Sequence, residues 1–176
     1  MLVTYLIYFL VFSFLGWILD FWYTSIKKKK LASSAYLNIP LCPLYGFGGI
    51  ALVLLFTYLI LPWTTLIAIS LIMIISIEYI GGVFCEKFLK VRVWNYSFSK
   101  INFKGYIDLK HSFYWLITIL FFYFFIFPQT IILQNLINIS QELDIIIFSI
   151  FILGFIILIY KRNQRTIKLT NDRFHD

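Results

Sequence analysis

Apolar residues run almost unbroken through Leu2–Tyr23, Leu44–Leu61, Leu66–Phe84, Phe113–Leu133 and Ile145–Tyr160, with polar stretches between the runs. A bilayer core needs about 20 apolar residues in a helix. The pattern therefore predicts an all-α integral membrane protein with five transmembrane helices, the fifth one short. Lys27-Lys28-Lys29-Lys30 stops the first run, and Pro62-Trp63-Thr64-Thr65 makes a tight turn between the second and third. No basic region or small-residue cleavage site marks the first run as a signal peptide, so it reads as an uncleaved helix. Residues 1–160 form a single five-helix domain in this reading, and residues 161–176 a basic, frayed cytoplasmic tail.

Composition turns long apolar helices into a firm membrane assignment. Apolar residues make up 61% of the chain, aromatics 21% and charged residues only 13%, whereas soluble domains carry about a quarter charged residues. The formal charge of +7 first reports orientation. All 15 Lys and Arg fall within segments 25–43, 85–111 and 161–176, and the alternate loops hold none. By the positive-inside bias this gives an N-out, C-in topology. Segment 85–111 interleaves lysines with Phe88, Trp94, Tyr96, Phe98, Phe103 and Tyr106. That mixture can bind nucleic acid, but between two spans it describes a loop at headgroup level, with aromatics in the interface and cations toward anionic lipid. No nucleic-acid partner is expected.

Specific chemistry is sparse. A GxxxxGK[ST] phosphate loop is absent, so the chain does not bind nucleotide by that route. Cys42 and Cys85 belong to no CxxC motif, and no metal-ligand spacing joins them to His111 or Glu86, so neither a cofactor nor a metal is expected. The least regular stretch is Tyr36–Gly49, where Pro40 and Pro43 bracket Leu41 and Cys42 ahead of Gly46, Gly48 and Gly49. Proline removes a donor and disfavours helix in the residue before it. A Pro/Gly-rich segment beside a span must find its partners in protein or water, which predicts a re-entrant or interfacial turn before helix 2.

With that topology, Asp20, Asn38, Pro40, Cys42, Tyr45, Glu78, Glu86, Trp94, Asn95 and Asp108 all converge on the inside. An acid in a span costs roughly 2.5–3.5 kcal/mol on insertion scales and usually faces the bundle interior. Glu78 lies deepest. It shares a stripe with Gly81, Gly82 and Cys85, where the glycines let another backbone approach, and the Pro/Gly stretch is the expected partner. The plainer readings are helix packing for the glycines, a hydrogen bond to a polar group of a neighbouring helix for Glu78, and a salt bridge or solvation at the interface for Asp20 and Glu86. A nucleophilic Cys42 needs a base or positive field beside it; His111 and Lys104 lie on the same side, but nothing in the sequence brings them to it.

Taken together, Ser13-Phe-Leu-Gly-Trp-Ile-Leu-Asp20, Leu37-Asn-Ile-Pro-Leu-Cys-Pro-Leu-Tyr-Gly46, Glu78-Tyr79 with Gly81 and Glu86, Trp94-Asn-Tyr-Ser97 and Asn102 with Gly105-Tyr-Ile107 resemble the small bacterial membrane proteins of the ABC-transporter type IV, or CmpB-like, family. The family usually has Glu at the place of Asp20, Gly at Ile39 and Asp at Asn95. The resemblance implies a multi-pass protein of the bacterial cytoplasmic membrane with a transport role, and its motifs bring Gly46, Tyr96, Asn102 and Gly105 into a candidate site that also takes Gly82 from the Glu78 stripe. The expected function is a permease-like subunit that borrows a separate ATP-binding subunit in trans. Five spans are few for a substrate path, so a homo-oligomer is expected. The alternatives are a membrane scaffold or assembly factor, or a membrane-embedded enzyme acting on a lipid-linked head group through Glu78, Asp20 and Glu86.

Overall fold

The computed structural model describes residues 2–29, 39–137 and 141–172. Among these, helices α1 (Leu2–Lys28), α2 (Pro43–Tyr58) and α3 (Trp63–Phe88) come first. A short irregular segment follows, with strands β1 (Asn102–Phe103) and β2 (Ile107–Asp108), and then α4 (Leu109–Phe121), α5 (Phe127–Leu136) and α6 (Gln141–Asp172). One wide π-helical stretch, Phe122–Ile126, joins α4 to α5. Pro128 explains it, because a proline cannot donate to the preceding turn and its ring crowds the carbonyl there.

Among the described residues, four helical segments are long and apolar enough to cross a membrane: Leu2–Lys28, Trp63–Phe88, Leu109–Leu136 and Gln141–Arg162. The remaining apolar helix, α2, has 16 residues, about 24 Å at 1.5 Å per residue against a core of about 30 Å. Of the five apolar runs, the second thus forms the shortest helical segment, not the last. Beyond Tyr160, where the sequence suggests a frayed tail, α6 continues as helix to Asp172.

Helix α2 runs antiparallel along α1. Tyr45 at its start meets Asp20 near the end of α1, and Tyr58 at its end shares a hydrogen bond with Tyr5 near the beginning. Missing side chains make this close approach possible: a Cβ on Gly16 would overlap the Tyr45 ring, and one on Gly46 would strike Ser13 and Phe9. Tyr8, Phe12, Leu52, Val53, Phe56, Leu66, Ile67, Ile74, Ile119 and Phe122 form the buried core between α1, α2, α3 and the α4–α5 unit. Helix α6 packs against α1 beside this core, where Phe9 lies edge-on to Phe151 and Phe155.

The ends of the bundle are closed differently. At the start of α1, Asp144 of α6 accepts hydrogen bonds from the backbone N–H groups of Leu2 and Val3, at 2.7 and 2.6 Å, and the Tyr8 hydroxyl donates to the Thr130 carbonyl at 2.5 Å. At the other end, residues 89–108 fold back over the end of α3 as a compact knot. Lys90, in left-handed geometry with φ 56°, turns the chain out of α3. Lys104 and Gly105, at φ 53° and 71°, form the reversal between β1 and β2, closed by a bond from the Tyr106 N–H to the Phe103 carbonyl. Positive φ at both central residues is the signature of a tight hairpin turn.

Candidate functional site

Glu78 sits in the third turn from the end of α3 and is only 2% exposed. Its carboxylate accepts two hydrogen bonds, from the Tyr96 hydroxyl at 3.1 Å and from the Trp115 indole N–H at 3.0 Å. Both donors are neutral. Among the described residues, no lysine or arginine forms an ion pair with Glu78 or with Asp20. A carboxylate held this way keeps its capacity to take a proton or meet a cationic group, which a paired one has already spent.

Each donor leads to a second acid. The Trp115 ring packs on Tyr45, with centroids 5.1 Å apart, and the Tyr45 hydroxyl donates to Asp20 at 2.9 Å. Tyr96 stacks flat on His111 at 4.0 Å and 14°. The His111 ring lies 2.6 Å from Asp108 through Nδ1 and 3.1 Å from the Tyr23 hydroxyl through Nε2. Asp108 also caps α4 by accepting from the His111 backbone N–H at 2.8 Å. Three acids from α1, α3 and the start of α4 are therefore joined through aromatic side chains into one assembly, at the end of the bundle that carries the 89–108 knot.

The electrostatics outside the spans follow from these contacts. Desolvation by itself raises the Asp108 pKa, but the bonds from the His111 backbone and ring and from Ser99 outweigh it and leave the carboxyl below its usual range. Burial, then the neighbouring Glu78 charge and its hydrogen bond, push the Tyr96 phenol up, so it stays a donor. Burial and then the charge of Asp20 push the Cys42 thiol up to about 12. A nucleophilic cysteine needs the opposite shift.

The knot delivers Tyr96. Trp94 donates its indole N–H to the Tyr106 carbonyl at 2.9 Å, and the Tyr96 N–H bonds the Gly105 carbonyl at 2.8 Å. Asn102 accepts from the Gly105 N–H at 3.0 Å and donates to the Ser99 carbonyl at 2.7 Å. Gly105 has no room for a side chain, since a Cβ there would press on Arg92, Ser97 and Asn95. Glu86 accepts from the Tyr106 hydroxyl at 3.0 Å and lies 3.7 Å from Arg92. On α3, Gly82 lies under Tyr106 and Trp94, while Gly81 faces Leu44. The glycine pair thus receives the knot on one side and the start of α2 on the other, where the sequence suggested the Pro/Gly stretch alone.

Of the residues singled out in the sequence, Asp20, Tyr45, Glu78 and Tyr96 belong to the assembly itself. Gly82, Glu86, Trp94, Asn102 and Gly105 build the knot around it, and Gly46 sets the α1–α2 approach. Cys42 lies at the edge, its backbone N–H bonded to the Ser13 carbonyl at 2.9 Å and its thiol beside Asp20. Pro40 is exposed in a bend. Asn38 lies outside the described residues. Trp115, His111 and Tyr23 are members that sequence reasoning missed. The spacing of Asp108, His111 and Trp115, at i, i+3 and i+7 on one helix face, was the available signal. Among the described residues, no group of three His, Cys, Asp or Glu side chains gathers as a metal site.

The family model described as Putative ABC-transporter type IV matches residues 7–161. The chain belongs to that family. The matched span takes in α1 through the apolar part of α6, and so every residue of the assembly. No curated protein and no solved structure matches the chain. The type IV family name carries transport as its suggestion, and the assembly holds two acids within apolar helices, Glu78 and Asp20, that among the described residues form no ion pair with lysine or arginine.

Proposed function

We propose that this protein is a permease-like subunit of the bacterial cytoplasmic membrane that works with a separate ATP-hydrolysing subunit. The observation that carries the reading is Glu78, a buried acid inside a long apolar helix with two neutral donors and no counter-cation among the described residues. Acids of this kind mark substrate, ion or proton paths. Membership of the type IV family agrees with it. No GxxxxGK[ST] phosphate loop occurs in the sequence, and in this reading ATP hydrolysis belongs to the partner. The knot over the end of α3 is an ordered, basic surface on which such a partner can rest.

In this reading the chain crosses the membrane five times, N-out and C-in. Its antiparallel run along α1 supports α2 as a crossing, and confinement of all 15 Lys and Arg to three alternate segments supports the orientation. Residues 39–42 and the start of α2 then form an interfacial entry to the second crossing. The test is purification from native membranes followed by ATPase assay. An ATP-binding protein should accompany the chain, and hydrolysis should fall when Glu78→Gln replaces the wild type. Absence of such a protein, or hydrolysis indifferent to the chain, would remove the proposal.

A further inference from the structure

A shallow cleft of about 530 Å³ opens beside the start of α4, lined by Ser99, Lys100, Ile101, Leu109, Lys110 and Phe113. It lies on the outer side of the knot, away from Glu78. Its floor is apolar and open: Ile101 is 64% exposed, Leu109 62% and Phe113 59%. A bond from the Leu109 N–H to the Ile101 carbonyl, 3.1 Å long, holds the two walls together. Below it, Phe113, Ile117, Phe121 and Phe125 continue at four-residue spacing as an exposed apolar stripe down the α4–α5 unit. The apolar span begins at Leu109, so the cleft stands at the level where hydrocarbon gives way to headgroups.

Charge selects the occupant. Residues 89–110 contain Lys90, Arg92, Lys100, Lys104 and Lys110 against the single acid Asp108, five positive charges less one negative. That acid is buried and turned toward His111, and the Ser99 hydroxyl bonds it. Lys100 and Lys110 remain at the cleft, and among the described residues neither forms an ion pair. Lys110 only leans over the Tyr114 ring at 5.7 Å. Two free ammonium groups above an apolar floor and a descending apolar stripe match one kind of ligand, an anionic head joined to acyl chains.

We infer that this cleft is a binding site for an anionic phospholipid of the surrounding bilayer, its phosphate between Lys100 and Lys110 and its chain along the Phe113–Phe121 stripe. Such a lipid fixes the height of the knot, and with it Tyr96. The site needs only membrane residence and does not rest on the permease reading.

Delipidated full-length protein in neutral detergent is titrated with phosphatidylglycerol, phosphatidylcholine, inorganic phosphate or polyglutamate, and bound ligand is read by native mass spectrometry. Phosphatidylglycerol should bind preferentially, and K100Q/K110Q should weaken it about tenfold or more, each lysine near an anionic surface contributing a several-fold factor. The control K87Q/K90Q removes equal charge elsewhere and should change affinity less than twofold. Equal losses in the two double variants would overturn the site, as would phosphatidylcholine binding as tightly. Inorganic phosphate binding with the same lysine dependence and the same affinity would also overturn the lipid assignment. Polyglutamate bound there in preference to lipid would contradict it in favour of an acidic protein partner.

Discussion

Two buried acids, Asp144 of α6 and Glu78 of α3, are held in different ways. Asp144, 5% exposed, accepts from the backbone N–H groups of Leu2 and Val3, which are donors that every helix start leaves unsatisfied. Its partners cannot leave without unwinding α1, and its negative charge meets the positive end of the helix dipole. Glu78, 2% exposed, accepts from Tyr96 and Trp115. These side chains come from a loop and from another helix, which can shift. Asp144 is a fastening, whereas Glu78 is a junction that other elements can remake. Burial is alike in the two acids; what distinguishes them is the nature of their donors, and the role proposed for Glu78 rests on that difference.

The comparison breaks most sharply at Glu78. Glu78→Ala leaves a buried phenol and a buried indole without their acceptor, and should cost on the order of 3 kcal/mol, seen as a large drop in the thermal midpoint of detergent-purified protein. Glu78→Gln keeps an acceptor of the same shape, so it should fold nearly normally and lose activity. Next comes Gly16→Leu, which drives a side chain into the Tyr45 ring and should destabilise by about 2 kcal/mol through overpacking. Asp144→Ala should cost about 1 kcal/mol as a lost cap while leaving activity per folded molecule unchanged. If Asp144→Ala instead abolishes activity in folded protein, the division between fastening and junction is wrong.

Smaller effects sharpen the same contrast. Tyr96→Phe removes one hydrogen bond to Glu78 but keeps the stack on His111, and about 0.6 kcal/mol is typical for such bonds in membrane bundles. Asp108 supplies a pH signature. Its folded-state pKa lies below the unfolded value, so the stability it contributes is complete above about pH 4 and disappears as pH falls through the lower folded value. Thermal midpoints measured across that range should fall for wild type and less for Asp108→Asn.

Much of the fold could be read in the chain because apolar run length and charge are local properties. The long helices α1 and α3 were visible in Leu2–Tyr23 and Leu66–Phe84. The π-helical turn was not, since Phe122–Ile126 is part of an unbroken apolar run and only Pro128 hints at it. Glu78 stood out as the deepest acid and Tyr96 as a candidate, but nothing joined the two, and Trp115 was missed. Trp115 reaches it only through the relative rotation of α3 and α4, and Tyr96 only through the folding of the knot. Neither is a local property. The i, i+3, i+7 spacing of Asp108, His111 and Trp115 points them to one face, and the sequence alone does not say which neighbour that face meets.

The measurement that bears most directly on Glu78 is a paired assay in native membranes of wild type and Glu78→Gln, reading folded protein and partner-dependent ATP hydrolysis from the same samples. The expected result is equal folded protein and equal recovery of the ATP-binding partner, with hydrolysis reduced at least about tenfold, the loss of about 1.4 kcal/mol of coupling. Unchanged hydrolysis with equal folded protein would contradict a working role for the Glu78 junction.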